Sequence, residues 1–255
     1  MRRAKDKQLG GKTQLYSTQQ YAVHRLLDVI DLPRGGKYLE PGIGVGAIAR
    51  AMASYELADG TRPYSAIEWH GWEIEPRIAS AGLRRMRDAG LNVRVTTGDF
   101  LSMQLGIDRF DCSVMNPANS ITEACVRKSL TVSALACVYQ PLQWYSSATR
   151  AAFFEEHRPE RILVMPDRPK FVGDDSPMQT WCWYVIPQKP AAKTYIERLS
   201  LTELTVRKAD HARQSREDEE DFGPGGIASA DGLVSSVVVA NDTRLAAAGA
   251  EADCG

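Results

Sequence analysis

Four short stretches of this 255-residue chain carry residue types that could do chemistry together. Tyr38-Leu39-Glu40-Pro41-Gly42-Ile43-Gly44-Val45-Gly46 reads as a buried strand running into a glycine-rich turn, with a helix opening at Ala47. Glycines at alternate positions tolerate positive φ and let the backbone pass close against a ligand. A helix that opens straight after such a turn aims free N–H groups and its positive dipole end at that ligand. By mechanism this is a site for a nucleotide-type cofactor. Glu40, just ahead of the turn, is placed to bind an amino group. Trp72-Glu73-Ile74-Glu75-Pro76 puts a carboxylate at the next strand tip, where ribose hydroxyls donate to such a group. Thr97-Gly98-Asp99-Phe100 then offers an acid for an exocyclic adenine amine, with an aromatic ring beside it. Finally, Val114-Met115-Asn116-Pro117-Ala118-Asn119 ends a further strand, and the Asn116 carboxamide oxygen and Pro117 carbonyl can both accept from one NH₂ group.

The elements that must hold these residues follow from hydrophobic periodicity. Helical spacing runs from Gln19 to Ile30. Strand patterns cover Lys37 to Glu40, Ser65 to Ile74, Asn92 to Thr97, Phe110 to Met115 and Ala134 to Leu142. Helices fall between them, beginning at Ala47 and spanning Arg77 to Asp88 and Thr122 to Thr131. A helix from Ser146 to His157 and two closing strands, Arg161 to Met165 and Trp181 to Ile186, complete the series; the loop between those strands is polar. Seven strands alternating with helices predict an α/β fold, a mostly parallel doubly wound sheet with an antiparallel last strand.

Past Pro190 the composition shifts. Glu197 to Val206 is expected as one more helix, Arg207 to Asp221 is a charge run, and Gly223 to Gly255 is rich in Gly, Ala, Ser and Asp. The division expected is a flexible N-terminus at 1–14, a folded domain at 15–190 and a largely disordered tail at 191–255. Within that tail Leu233 to Val239 has the composition of an edge strand. A net charge of -1 argues against strong nonspecific attraction to nucleic acid, while leaving room for a local basic face. Five scattered cysteines form no CxxC pair and predict no metal site and no disulfide framework. No run is long and apolar enough to span a bilayer, so no membrane partner is expected and a cytoplasmic location is.

The glycine spacing is not the GxGxxG of a nicotinamide enzyme. The order EPGIGVG, WEIEP, TGDF resembles class I methyltransferases that use S-adenosylmethionine, which have a Rossmann-like fold. That resemblance implies that Glu40, Pro41, Gly42, Gly44 and Gly46 hold the methionine part of the cofactor, Glu73 the ribose, and Asp99 with Phe100 the adenine, with Ile74 a further member of the cofactor set. Asn116-Pro117 resembles the start of the Asn-Pro-Pro-aromatic motif of amino-methyltransferases, among them the small phage and prophage adenine-N6 DNA methyltransferases. Leu15-Tyr16-Ser17-Thr18 resembles the Tyr-x-Thr-Pro element that lies over the methionine moiety, so Tyr16 and Thr18 join the cofactor set. The likeness runs from about Tyr16 to Pro187 and implies methylation of an exocyclic amine, with Asn116 and Pro117 orienting the amine.

In the motif itself Ala118 and Asn119 stand where that family has proline and an aromatic ring. Stacking on a flipped base contributes about 1–3 kcal/mol. Its loss leaves Asn119 as a polar member of the catalytic set, with Trp144 or Tyr145 to supply a replacement ring. Arg168 and Lys170, in the loop before Trp181, are the candidates for phosphate contact. Three readings stay open: adenine in DNA or an amine in RNA, a glutamine amide in a protein, or a cofactor-fold domain that no longer catalyses.

Overall fold

A computed structural model describes residues 17–106, 108–166 and 179–199. Tyr16, Arg168, Lys170 and the tail from residue 200, including Leu233 to Val239, lie outside them.

The chain alternates as its periodicity requires. The strands are β1 (Lys37–Pro41), β2 (Glu68–Glu73), β3 (Asn92–Thr97), β4 (Cys112–Met115), β5 (Leu135–Pro141), β6 (Arg161–Val164), β7 (Trp181–Pro187) and β8 (Tyr195–Arg198). The helices are α1 (Gln20–Leu27), α2 (Ala47–Ser54), α3 (Pro76–Asp88), α4 (Thr122–Leu130) and α5 (Ala151–Glu156). They build one sheet in the order β3-β2-β1-β4-β5-β7-β6-β8, parallel except where β7 runs against β5 and β6.

Successive side chains of a strand point to opposite faces, and the two faces fill two separate cores. Tyr38, Cys137, Tyr139 and Trp183 enter the core under α1, α2 and α3, with Leu26, Met52 and Trp69. Their strand neighbours Leu39, Val138, Cys182 and Tyr184 enter the core under α4 and α5, with Val126, Trp144 and Phe153. Both faces are therefore covered, which is why these strands read as nearly continuous apolar runs. The Trp183 indole N–H donates to the Ala22 carbonyl at 2.8 Å and ties α1 to the sheet.

Two expectations need correction. Glu197 and Arg198 belong to β8, an eighth strand parallel to β6, and not to a helix. The sheet thus continues past Pro190 to Arg198, and Leu199 just beyond it is buried. Pairing with β6 is a non-local interaction that outweighs the helical pattern of this segment. The helix expected from Ser146 to His157 is also shorter, a 3₁₀ turn at Ala148–Arg150 leading into α5.

Candidate functional site

Chain direction sets the location of the site. From β1 the sheet grows outward through β2 and β3 on one side, and through β4 and β5 on the other. A crevice opens at such a switch point beyond the carboxyl ends of the strands, and ligands of open α/β sheets bind there. In this chain the crevice is a cleft of about 420 Å³. Its walls include Thr18, Glu40, Pro41, Gly42 and Gly44; Glu73, Ile74, Asp99 and Phe100; and Asn116 and Pro117. Five stretches far apart in sequence thus converge on one cavity.

The glycine turn has positive φ at Gly42, Gly44 and Gly46, of 66°, 55° and 72°. Only two of these glycines line the cleft. Gly46 instead caps α2 in the left-handed conformation, and a Cβ there would run into the Met86 side chain of α3. Its place in the cofactor set is corrected to one of packing. The turn is anchored to β2: Gly44 N donates to Glu73 Oε2 at 3.1 Å, and Ile43 N to the Trp72 carbonyl at 2.9 Å. The other Glu73 oxygen accepts from Glu75 N at 2.9 Å.

Glu40 is 3 % exposed, and its Oε2 has no hydrogen-bond partner among the described residues. Burial, reinforced by the charge of Glu73, pushes its carboxyl well above the ordinary carboxylate range. The Ser17 hydroxyl, also in the cleft wall, is likewise buried and unpartnered. Orphaned buried polar atoms are expensive, and a ligand in the cleft these two line would relieve the cost. An acid and a hydroxyl together fit an ammonium group such as the amino end of S-adenosylmethionine. At the other end Ile74 is 65 % exposed at the rim, and Phe100 meets Trp72 edge-to-face at 5.6 Å. Asp99 accepts from Leu101 N at 2.9 Å, which holds the strand-end turn in place.

The Asn116 amide Nδ2 donates to Thr18 Oγ1 at 3.0 Å, leaving its Oδ1 without a protein partner among the described residues. The Pro117 carbonyl accepts from Gln140 Nε2 at 2.9 Å. The Ala118 carbonyl is taken up by Ile121 N and the Thr122 hydroxyl as α4 begins.

Asn119 is exposed and does not line the cleft. Trp144 is 3 % exposed and packs against Phe153, Phe154 and Tyr184, so its ring fills the core under α5 and does not line the cleft. Tyr145 leans on Phe154 and Tyr184 and is not among the residues that line the cleft. The expected replacement ring is therefore corrected for Trp144, which has an apolar core to enter, so that burial there wins; Tyr145 is half-buried against the same core and does not line the cleft. Residues not anticipated as site members include Ser17, Trp72, Ile78, Leu101, Ile121 and Cys125. Burial and the nearby Asp99 charge push the Cys125 thiol up to about 12, making it a small apolar wall and no nucleophile.

Strand order, crevice and glycine turn define a Rossmann-like fold of the class I methyltransferase type. Solved structures bear this out. A Listeria monocytogenes protein assigned provisionally to the class I S-adenosylmethionine-dependent methyltransferases superposes with a TM-score of 0.56 at 13 % identity, over 80 % of this chain and 70 % of its own. The type I restriction-modification methyltransferase subunit of Streptococcus thermophilus gives 0.55 at 15 %, over 81 % of this chain and 54 % of its own. The 23S rRNA methyltransferase ErmE gives 0.50 at 20 %, over 83 % and 81 %. No protein-family model matches the sequence, and no curated protein matches it either. No helix among the described residues is long and apolar enough to cross a membrane.

Proposed function

We propose that this chain is an S-adenosylmethionine-dependent methyltransferase that acts on an exocyclic amine, with adenine N6 in DNA as the leading substrate. The observation that carries this reading is the meeting of the unpartnered Glu40 carboxylate and the Asn116-Pro117 acceptor pair in one cleft. In this reading Glu40 and Ser17 bind the amino group of the cofactor, Glu73 its ribose, and Asp99, Ile74 and Phe100 its adenine. S-adenosylmethionine, when bound, supplies an electrophilic methyl group. Asn116 Oδ1 and the Pro117 carbonyl then hold the two hydrogens of the target NH₂, drawing its lone pair out of conjugation and along the line of transfer. Positioning of this kind accounts for most of the catalysis such a reaction needs. Likeness to a restriction-modification methyltransferase subunit and a 23S rRNA methyltransferase supports nucleic acid as the substrate class, DNA before RNA.

A second reading, methylation of a glutamine amide in a protein, is favoured by one feature. Ala118 and Ile121 form the acceptor-side wall where a base would want an aromatic ring. Calorimetric titration of the chain with S-adenosylmethionine and S-adenosylhomocysteine, with Glu73→Ala as control, tests the cofactor assignment. A labelled-methyl assay on DNA, RNA and protein pools then separates the two substrates. An intact protein that binds neither nucleoside would overturn the reading and favour a binding protein built on this fold.

A further inference from the structure

Gln140 is the one amide side chain in a strand that is otherwise mostly apolar, Leu135-Ala136-Cys137-Val138-Tyr139-Gln140-Pro141, and it is 0 % exposed. Burying a primary amide is unfavourable unless it is well paired. Its Oε1 has no partner among the described residues, and its one bond runs from Nε2 to the Pro117 carbonyl. The fold therefore retains a poorly satisfied amide for a single contact, and that contact is to one of the two acceptors of the motif.

The sheet register explains why a side chain is needed there. β4 and β5 are parallel, with Ser113 against Ala136, Val114 against Cys137 and Met115 against Val138. Continued two residues further, the register brings Pro117 opposite Gln140. Pro117 has no N–H, so the backbone ladder of β4 stops at that point. Past the end of the ladder, the Pro117 carbonyl is held by a side chain, Gln140 Nε2, which donates to it from the β5 side. A carbonyl oxygen has two lone pairs. With one engaged by Gln140, its direction is set and the other is left for a donor in the cleft.

We infer that Gln140 is a positioning residue: it fixes the Pro117 carbonyl as an amine acceptor, as Thr18 does for the Asn116 carboxamide from the N-terminal side. This rests on the methyltransferase reading, and its test must separate the two. Sinefungin provides that test, since it carries an amine in place of the methylsulfonium, whereas S-adenosylhomocysteine carries nothing there. The readout is the ratio of the two affinities by calorimetry, with no turnover required.

In Gln140→Leu, which keeps the bulk but not the donor, the preference for sinefungin over S-adenosylhomocysteine should fall about tenfold, the equivalent of one hydrogen bond. Affinity for S-adenosylhomocysteine itself should hold. Gln140→Glu supplies a second handle. A buried protonated carboxyl still donates to Pro117, but an ionised one repels it, so the ratio should fall with rising pH in this variant and not in the natural chain. Where methyl transfer is measured, Gln140→Leu should lower kcat by up to about 100-fold with KM for the cofactor unchanged. An unaltered affinity ratio in Gln140→Leu, with no pH trend in Gln140→Glu, refutes the inference alone. Failure of the natural chain to bind either nucleoside refutes the methyltransferase reading and this inference with it.

Discussion

Glu73 Oε2 accepts a hydrogen bond from the Gly44 backbone N–H at 3.1 Å, so a carboxylate at the tip of β2 holds the glycine turn that follows β1. One residue thus serves the turn and, in the proposed function, the ribose. Glu73→Gln keeps the size but turns an acceptor into an amide that can present N–H to N–H. We expect a stability loss of about 1–3 kcal/mol in urea unfolding, together with at least tenfold weaker S-adenosylhomocysteine binding. Weaker binding with unchanged stability would mean that the turn stands without this bond.

Glu40 makes binding pH-dependent. Its folded-state pKa is raised, by burial first and by Glu73 second. The free protein is therefore most favoured below the ordinary carboxylate range, and this contribution is lost as pH rises towards the raised value. A ligand ammonium favours the ionised form, so binding should release a proton and affinity should climb with pH through the same window. Calorimetry in buffers of different ionisation enthalpy reads that proton directly. Glu40→Gln should abolish the buffer dependence, and heats that match across buffers in the natural chain would contradict the assignment.

Gly82 supports the site from behind. It lies inside α3, where a Cβ would overlap the Gly44 carbonyl oxygen and come within 3.1 Å of Val45 Cα. Gly82→Ala would raise helix propensity yet push the turn off its seat. A net loss of about 1–3 kcal/mol is expected from the overpacking, with weaker S-adenosylhomocysteine binding. Thermal unfolding and calorimetry on the same variant check both; a stabilised variant that binds normally would show that the turn has room to move.

Trp144 gives the opposite pattern. Removing a ring held among Phe153, Phe154 and Tyr184 should cost about 3–5 kcal/mol of stability. Because the ring faces no part of the cleft, nucleoside affinity of the folded fraction of Trp144→Ala should stay within about twofold. Selective loss of substrate methylation at full stability would instead restore it as a stacking residue.

These variants also mark what could be read from sequence. The glycine turn, Glu40, Glu73, Asp99 and Asn116-Pro117 were legible because their chemistry is local: a φ that only glycine tolerates, or a charge at a strand tip. Trp144 was not, because an aromatic after a strand suits a cleft or a core equally, and only the Phe153 and Phe154 side of α5 decides between them. Gln140 was hidden for a stronger reason. Its role exists only once the β4–β5 register brings it opposite Pro117, and no spacing along the chain encodes that. Gly82 did leave a trace, as a glycine placed in the middle of an amphipathic helix against propensity. Glu197 misled because what makes it a strand is its pairing with Leu163 of the distant β6, reinforced by the Arg161 side chain, 36 residues earlier, donating to its carboxylate.

Lys128 couples the two halves of the cleft. It sits on α4, which starts directly after the Asn116 motif, and its ammonium donates to the carbonyls of Phe100 at 2.6 Å, Leu101 at 3.0 Å and Met103. The same nitrogen lies 5.1 Å from the centre of the Phe100 ring. All three donor positions of the ammonium are thus spent on the turn that bears Asp99 and Phe100, the adenine end of the proposed cofactor site. Lys128→Met retains the stem and removes those bonds. It should reduce stability by about 1.5–3 kcal/mol, the range for hydrogen bonds from a charged group, and free the turn at 99–103. Adenosine binding should weaken by at least as large a factor as S-adenosylhomocysteine binding, since the loss lies at the adenine end and not at Glu40. Loss confined to the amino-acid half, seen as normal adenosine affinity with weak S-adenosylhomocysteine affinity, would show that Lys128 does not hold the adenine wall.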